Sequence, residues 1–213
     1  MTRRDWVQWH QDYDDPGSLL SRRLEIVQGH LRTELDRAPA GELRLISLCA
    51  GQGRDVIGVL AGHPRRDDVR ARLVELDERN VATARDAVKA AGLDDVEILQ
   101  ADAGITDVCV GAVPARIVVA CGIFGNISDS DIQATVTLLP GLCAPGALVL
   151  WTRHRRQPDL TPAIRSWFAE AGFREEAFDI SQDGFMSVGA HRLTGEPTML
   201  VPGQRMFTFV DRT

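Results

Sequence analysis

Residues 43–55 read LRLISLCAGQGRD, a short apolar run followed by a turn that contains Gly51 and Gly53. The apolar run is typical of a buried strand, and the two glycines allow a tight turn that brings the backbone close to a ligand. Ordinary strand-to-helix turns carry glycines at this spacing too, so the turn alone leaves both interpretations open. If a ligand binds, we expect it at the start of the helix that follows.

The chain beyond this turn alternates between strand-like and helix-like patterns. Further strands are predicted near residues 71–76, 96–99, 116–121 and 147–151. Helices are predicted at about residues 54–61, 78–91 and 160–171. This alternation predicts a doubly wound α/β fold, with a parallel sheet covered by helices on both faces. Two final strands, at residues 173–180 and 205–210, are predicted to form an antiparallel hairpin that closes the sheet.

Two helices are predicted before the sheet. The second carries apolar residues at helical spacing: Leu20, Leu24, Val27, Leu31 and Leu35. The first carries ring side chains on one face: Trp6, Trp9, His10 and Tyr13. Such a stripe is typical of packing onto a core, and the alternative is a lid that places His10 and Tyr13 against a substrate. The chain is therefore divided into a helical extension or lid, residues 1–42, and a sheet domain, residues 43–213.

Composition and charge limit the classes of function. The 213 residues are 44% hydrophobic and 25% charged, which fits one globular domain. The formal net charge of -6 gives no support for binding nucleic acid or an anionic membrane surface. Because the N-terminus lacks the apolar run of a secretory signal and no stretch approaches the roughly 20 apolar residues of a membrane span, we predict a cytoplasmic location. The sequence does not determine the oligomeric state.

Rare residues exclude whole mechanisms. The single lysine, Lys89, lies in a helix-like segment, which excludes a P-loop and argues against a Schiff-base enzyme. The single tyrosine, Tyr13, cannot supply the Tyr-x-x-x-Lys pair of a short-chain dehydrogenase. The cysteines are far apart, which predicts reduced thiols and no Cys-x-x-Cys metal site: Cys49, Cys109, Cys121 and Cys143.

Acidic residues follow the second and third predicted strands, where ligands bind in open α/β sheets. Glu75 ends the second strand, a little over ~20 residues beyond the glycine turn, and is predicted to accept hydrogen bonds from ribose hydroxyls. Asp77 has a different explanation as the N-cap of the next helix. Asp102 follows the third strand, where it either accepts from an exocyclic adenine amine or caps a helix.

The order and spacing of these motifs resemble a class I S-adenosylmethionine-dependent methyltransferase. Residues 47–54 are similar to the acidic residue and Gly-x-Gly-x-Gly turn of that family, with Ser47 at the acidic position and Cys49 at the first glycine. Residues 101–103, 144–150 and 168–173 resemble its later motifs, and the match covers about residues 43–213. The two departures imply that the usual water-linked contact to the methionine amino group is lost or supplied elsewhere.

The resemblance implies a seven-stranded, mostly parallel Rossmann-like sheet with the last strand antiparallel, and S-adenosylmethionine as cofactor. Carried over by position, the cofactor-binding residues are Cys49, Ala50, Gly51, Gly53, Arg54, Glu75, Leu76, Asp102, Ala103, Cys121, Gly122 and Asn126. No metal site is predicted. The alternatives are a non-catalytic sensor or interaction protein on the same fold and an NAD(P)-binding Rossmann protein, whose third glycine position is occupied here by Val56.

The loop after the fourth strand restricts the methyl acceptor. It lacks the Asp/Asn-Pro-Pro-aromatic signature of methylases that act on nucleic-acid bases and the Pro-Cys nucleophile of cytosine C5 enzymes. It also lacks the Asp that binds magnesium in catechol-type enzymes. We therefore predict metal-independent transfer to a small-molecule acceptor. Gly122, Phe124 and Asn126 are predicted either to line the pocket or only to shape the loop.

Three side chains are candidates for catalysis: His10, Tyr13 and His154. His154 lies in a basic segment after the fifth strand, which is either the rim of an acceptor pocket or a solvated loop. A catalytic base is optional, because aligning the acceptor with the methyl group can supply much of the rate by itself. A hydroxyl acceptor would gain roughly 10² to 10⁴ from a placed base.

Overall fold

The fold is built around one seven-stranded sheet. The computed structural model of the chain describes residues 11–210. Its strands are β1 (Leu43–Leu48), β2 (Val69–Glu75), β3 (Val96–Gln100), β4 (Ala115–Ala120), β5 (Cys143–His154), β6 (Phe173–Ile180) and β7 (Met186–Leu193). They lie in the order β3-β2-β1-β4-β5-β7-β6, and β7 runs antiparallel to both of its neighbours. The predicted doubly wound, mostly parallel sheet with an antiparallel last strand is confirmed.

The last strand of the sheet is not the segment predicted from the sequence. The strand that pairs with β6 is β7, and residues 205–210 make only isolated bridges: Ile105 with Arg205 and Ile127 with Phe209. The prediction of a strand at 205–210 is therefore wrong. β7 is buried between two strands, yet polar residues interrupt its apolar pattern: Ser187, His191 and Arg192. These side chains are satisfied by tertiary contacts that a local pattern does not indicate.

Helices cover both faces of the sheet. Those in the described part of the chain are α1 (Leu19–Arg37), α2 (Val56–Leu60), α3 (Glu78–Ala91), α4 (Asp129–Leu138) and α5 (Thr161–Glu170). α3 has the predicted bounds, because Asp77 caps its first turn and Gly92 ends it in a left-handed conformation. α2 is shorter than predicted, because Asp55 caps it one residue before Val56.

The region before β1 consists of α1 and a 3-10 turn, Gln11–Asp14. Ser18 caps α1 by accepting the N–H of Ser21, and the predicted apolar stripe faces the sheet through Val27, Leu31 and Leu35. The other predicted N-terminal helix falls mostly outside the described residues, as do three of its side chains: Trp6, Trp9 and His10. None of the helices described between residues 11 and 210 is long and apolar enough to cross a membrane.

Two buried clusters, one on each face of the sheet, form the core. α1, α2 and α3 pack over one face, and α4 and α5 pack over the other. Between β3 and β4 the chain makes only a 3-10 turn, Thr106–Cys109, so part of the second face lacks an α-helix there. Residues 204–210, which we call the C-terminal strap, cover that part with the buried side chains of Met206 and Phe207.

His191 on β7 is a buried histidine whose protonation opposes folding. It is 1% exposed, accepts a hydrogen bond from Trp151 Nε1 at 3.1 Å, and stacks on Phe168. Burial lowers the pKa of His191 from 6.5 to about 4, with a smaller lowering by Arg165 and an opposing effect of Glu175. Between these two pH values the unfolded chain binds a proton that the folded chain does not, so acid destabilises the fold.

We therefore expect the free energy of unfolding of the wild-type chain to fall as the pH drops from 6.5 to 4, by about 3 kcal/mol more than in His191→Phe. The variant removes the titrating group and leaves the carboxylates, whose contribution then cancels in the comparison. Urea unfolding at several pH values measures the difference. Parallel pH profiles for the two proteins would contradict a depressed pKa at His191.

Candidate functional site

The turn after β1 holds its backbone in left-handed conformations. The φ angles of Cys49, Gly51 and Gly53 are 52°, 57° and 70°. A Cβ on Gly53 would lie 2.6 Å from Ile57 Cδ1 and 2.9 Å from Leu73 Cδ2, so glycine is required there. Cys49 keeps the left-handed backbone of the glycine that it replaces in the motif, at a cost of roughly 1–2 kcal/mol. The glycine turn is therefore formed with a cysteine in its first position.

Glu75 ends β2 directly beside this turn. Its Oε2 accepts the N–H of Gly51 at 2.8 Å, and its Oε1 accepts the N–H groups of Leu76 at 2.9 Å and Asp77 at 2.8 Å. These three donors orient the carboxylate at the strand end and leave a lone pair of Oε2 for a ligand hydroxyl. The side chain of Leu76 is exposed next to it.

Asp102 lies at the end of the neighbouring strand, β3, as predicted. Its Oδ1 accepts the N–H of Gly104 at 2.8 Å, and its Oδ2 accepts from Arg205 Nη1 at 2.6 Å. Ala103, which we predicted to contact the cofactor, is buried. Asp102 therefore shapes the turn after β3 and pairs with an arginine of the C-terminal strap, a partner that the sequence analysis did not identify.

The loop after β4 is held in place by β5. Gly122 donates its N–H to Thr152 Oγ1 at 2.8 Å, and Asn126 Nδ2 donates to the Gly122 carbonyl at 2.7 Å. Asn126 thus shapes the loop, which was one of the two roles predicted for it. Burial raises the pKa of the Cys121 thiol to about 12, so this side chain is neutral at physiological pH. Phe124 does not line a pocket, because it is fully buried in the core.

A buried arginine from α1 faces the same end of the sheet. Arg23 donates a hydrogen bond to Tyr13 Oη, and its charge acts on Asp55 after the glycine turn and on Cys121 after β4. Burial raises the pKa of the Asp55 carboxyl, against the opposing effect of its hydrogen bond from Val56 and of Arg23. Burial also raises the pKa of Tyr13.

Arg23 and Asp55 were not predicted from the sequence as site residues. The available signal was the position of Arg23, three residues after Leu20 and four before Val27, which puts a positive charge on the apolar stripe of α1. Asp55 gave a weaker signal, because an acidic residue at the start of a helix is adequately explained as a cap.

Arg54 links the glycine turn to the N-terminal region. Its Nη1 donates to Asp14 Oδ1 at 2.8 Å, its carbonyl accepts from Gln28 Nε2 at 2.9 Å, and its guanidinium lies 5.6 Å from the centre of the Tyr13 ring. The carbonyl of Ala50 accepts the N–H of Gly53 inside the turn. Tyr13 and α1 are therefore held against the turn that is predicted to bind the cofactor.

Ser47 supplies no carboxylate at the end of β1. Its hydroxyl is buried and has no hydrogen-bond partner among residues 11–210, and the same is true of Asn80 Nδ2. Buried polar atoms are normally paired, so the unpaired hydroxyl marks a position beside the turn that bound solvent or a ligand can complete.

His154 ends β5 and packs against the loop after β4. Its Cδ2 would lie 3.5 Å from a Cβ on Gly125, and its ring stacks on Phe185 with 6.3 Å between centroids. The neighbouring charges are engaged, because Arg155 pairs with Asp159 at 3.0 Å and Arg156 lies over Phe185. Of the catalytic candidates, Tyr13 lies against Arg23 and Arg54, His154 lies against Gly125 and Phe185, and His10 lies outside the described residues.

A groove of about 460 Å³ opens between α1 and the turn that joins β6 to β7. Its lining includes the apolar side chains of Ile26, Ile180 and Val188, and it also reaches Arg23. Val188 pairs with Thr152 on β5. Because neighbouring strands lie about 4.8 Å apart, the groove is roughly two strand spacings from the end of β4.

No cluster of three or more His, Cys, Asp or Glu side chains within residues 11–210 is arranged to hold a metal ion. The polar groups that converge on the end of the sheet instead suit an organic ligand. A carboxylate lies beside the glycine turn, at the place where the strand order reverses between β1 and β4.

A family model described as "Putative methyltransferase" matches residues 21–175. The chain belongs to this methyltransferase family. The glycine turn, Glu75 and Asp102 all lie within the matched segment, together with α1. With its strand order, the protein is a class I methyltransferase. A search of the curated proteins finds no match.

Solved methyltransferases share the fold at low sequence identity. An O-methyltransferase family protein from Burkholderia thailandensis superposes with a TM-score of 0.66 and 19% identity over 86% of this chain, which spans 59% of that protein. Magnesium protoporphyrin IX methyltransferase from Synechocystis, solved with bound S-adenosylmethionine, gives a TM-score of 0.66 and 10% identity over 88% of this chain and 90% of its own. An RNA methyltransferase from Salinibacter ruber, solved in complex with S-adenosylhomocysteine, gives a TM-score of 0.51 and 22% identity. The match covers 83% of this chain and 95% of that one.

Proposed function

We propose that this methyltransferase moves the methyl group of S-adenosylmethionine to a small-molecule acceptor by in-line displacement, without a metal ion. The observation that carries the proposal is the Glu75 carboxylate, held beside the left-handed glycine turn at the switch point of the sheet. S-adenosylmethionine supplies an electrophilic methyl group on a sulfonium. The work of the protein is then to bind and align the two reactants, which can supply much of the rate.

Glu75 is assigned to the ribose. The free lone pair of Oε2 accepts one hydroxyl, and release of the Gly51 N–H would allow a second. Leu76 offers an exposed apolar side chain next to the carboxylate, where a base can pack. Ribose recognition of this kind does not involve the two positions at which this sequence departs from the family motif, Ser47 and Cys49.

Arg23 and Asp55 are assigned to the methionine end. That end carries an ammonium and a carboxylate, and these two residues carry the opposite charges at the junction of the glycine turn and β4. Asp55 thereby replaces the acid that β1 lacks at Ser47. Because partial burial raises the pKa of the Asp55 carboxyl, an ammonium beside it would favour its charged form.

Residues 1–42 are assigned the role of a lid over the methionine end. Arg54 binds Asp14, and Arg23 binds Tyr13, so the described part of this region already covers the glycine turn. A cover at this position excludes water from the transfer. His10, Tyr13 and His154 remain the candidates for touching the acceptor, and a base is needed only if the acceptor is a weak nucleophile.

The groove beside α1 is assigned to the acceptor. Its volume of about 460 Å³ falls in the range of small-molecule pockets, roughly 300–1,000 Å³. Arg23 lines the groove, and its charge also acts on Cys121 at the end of β4, so one side chain links the two regions. The loop after β4 offers no carboxylate near Cys121 and Gly122, which supports transfer without a metal ion.

Calorimetric titration of the purified protein with S-adenosylmethionine, S-adenosylhomocysteine and NADH tests the cofactor. We expect saturable binding of both sulfur compounds and none of NADH, because Val56 occupies the third glycine position of a dinucleotide turn and is buried in the core. Tight NADH binding would favour the dehydrogenase alternative. No binding of either sulfur compound would contradict the proposal.

Release of S-adenosylhomocysteine during a screen of small-molecule acceptors then tests catalysis. We expect turnover to be unchanged after treatment with a chelator, and its loss on chelation would contradict metal independence. A protein that binds the cofactor but turns over with no acceptor in the screen would be a cofactor-binding sensor on the same fold.

A further inference from the structure

The C-terminal strap runs between the loops that follow β3 and β4. Met206 donates its N–H to the Gly104 carbonyl at 2.8 Å, on the β3 side. Val210 donates its N–H to the Asn126 carbonyl at 2.9 Å, on the β4 side. The strap therefore spans the gap between the loops on either side of the predicted adenine position.

The strap is anchored to α4 along its length. Thr135 Oγ1 donates to the Met206 carbonyl at 3.0 Å, and Asp131 Oδ2 accepts the N–H of Thr208 at 3.0 Å. Phe207 is buried in the core between these anchors. The position of the intervening side chains is thus set by the fold, although the strap belongs to no regular strand.

Arg205 is the strap residue that reaches the cofactor side. Its Nη1 donates to Asp102 Oδ2 at 2.6 Å and makes a longer contact of 3.5 Å to the Phe207 carbonyl. A Cβ on Gly104 would lie 2.3 Å from the Phe207 carbonyl oxygen and 2.9 Å from the same nitrogen, so glycine makes room for both the strap backbone and the guanidinium. Within residues 11–210 the Nε and Nη2 groups of Arg205 have no hydrogen-bond partner, and about half of each side chain of the pair is exposed.

The pair presents an acceptor and a donor side by side. Asp102 holds one accepted hydrogen bond on each oxygen, which leaves lone pairs for a ligand, and Arg205 has three N–H groups left. Adenine carries the complementary pattern, because its amine donates next to a ring nitrogen that accepts. Hypoxanthine replaces that amine by a carbonyl and protonates N1, so its pattern at this edge is reversed.

We propose that Arg205 is a specificity-determining residue that, together with Asp102, binds the amine edge of the cofactor's adenine. This inference rests on the proposed function, because the adenine belongs to S-adenosylmethionine. It makes the C-terminal strap part of the cofactor site, although Arg205 lies 103 positions beyond Asp102 in the sequence.

Calorimetry with S-adenosylhomocysteine and its inosine counterpart, S-inosylhomocysteine, tests the proposal. The wild-type protein is expected to prefer the adenine compound by about tenfold or more, because the inosine base places an acceptor opposite the Asp102 carboxylate and a donor opposite the Arg205 guanidinium. In Arg205→Ala the affinity for S-adenosylhomocysteine should fall about tenfold while that for the inosine compound changes little, so most of the preference disappears.

Arg174→Ala is the matched control, because Arg174 is an exposed arginine whose one ion pair among residues 11–210 is with Glu176 on β6. It should bind both compounds as the wild-type protein does. Equal weakening of both compounds in Arg205→Ala would show that the arginine only supports the strap and would overturn the proposal, as would unchanged binding of both. If the wild-type protein binds neither compound, the proposed function itself fails.

A double-mutant cycle provides a second measurement. If Asp102 and Arg205 bind one edge together, Asp102→Ala and Arg205→Ala combined should weaken S-adenosylhomocysteine binding by much less than the product of the two single effects. If the two substitutions instead reduce the affinity independently, so that their effects multiply, the two residues do not bind the same edge of the adenine.

Discussion

Replacing Glu75 with alanine is expected to weaken S-adenosylmethionine binding by roughly 2–4 kcal/mol, or about 30- to 1,000-fold in Kd. The N–H groups of Gly51, Leu76 and Asp77 orient this carboxylate, which is the proposed acceptor for the ribose hydroxyls. A hydrogen bond to a charged group contributes more than one between neutral groups, and the ribose offers two hydroxyls. Isothermal titration calorimetry measures the change directly.

The loss of three backbone hydrogen bonds will also cost stability in Glu75→Ala, roughly 1–3 kcal/mol for the donors left unpaired. The melting temperature must therefore be followed beside the affinity. Glu97→Ala serves as the control, because Glu97 is an exposed acid on β3 that pairs with Arg72 on β2, away from the turn. An affinity for S-adenosylmethionine that is equal in the two variants would refute the assignment of Glu75 to the ribose.

Replacing Gly53 with alanine is expected to destabilise the protein by roughly 2–5 kcal/mol and to abolish tight cofactor binding. The φ of +70° penalises any side chain by roughly 1–2 kcal/mol, and the new Cβ would overlap Ile57 and Leu73, which adds roughly 1–3 kcal/mol of overpacking. Relief of this overlap must displace the turn that holds Glu75 through Gly51. Urea unfolding and calorimetry measure the two effects.

Gly111 provides a control that separates strain from crowding. It has a comparable φ of +82°, but a Cβ there would meet no atom within 4 Å. Gly111→Ala should therefore lower the free energy of unfolding only by the backbone strain, roughly 1–2 kcal/mol, and leave the affinity for S-adenosylmethionine unchanged. If the two alanine variants were equally stable, the close packing of Gly53 against α2 and β2 would not be what requires glycine in the turn.

Sequence patterns correctly predicted the features that depend on neighbouring residues, such as helix ends and turns. The bounds of α3 follow from Asp77 and Gly92, which cap the helix within a few residues of each end. The left-handed turn after β1 follows from Gly51 and Gly53, even though Cys49 departs from the motif. The position of Glu75 at a strand end follows from the apolar run before it.

Contacts between distant segments produced the errors and omissions. β7 was overlooked because Ser187 and His191 interrupt its apolar pattern, and their partners lie on another strand: the carbonyl of Arg153 and the indole of Trp151. The strap resembles a strand in sequence, but it pairs with loops and α4 rather than with the sheet.

The sequence by itself determined the class of sheet, the glycine turn and the acids at the ends of β2 and β3, because periodicity and turn chemistry act over a few neighbouring residues. Only the tertiary structure decided which charges meet at those strand ends. Arg23 reaches the switch point from α1, and Arg205 reaches Asp102 from the C-terminal strap. Both depend on how helices and strap pack across the sheet, and the free energy of that packing comes from burial that no short stretch of sequence encodes.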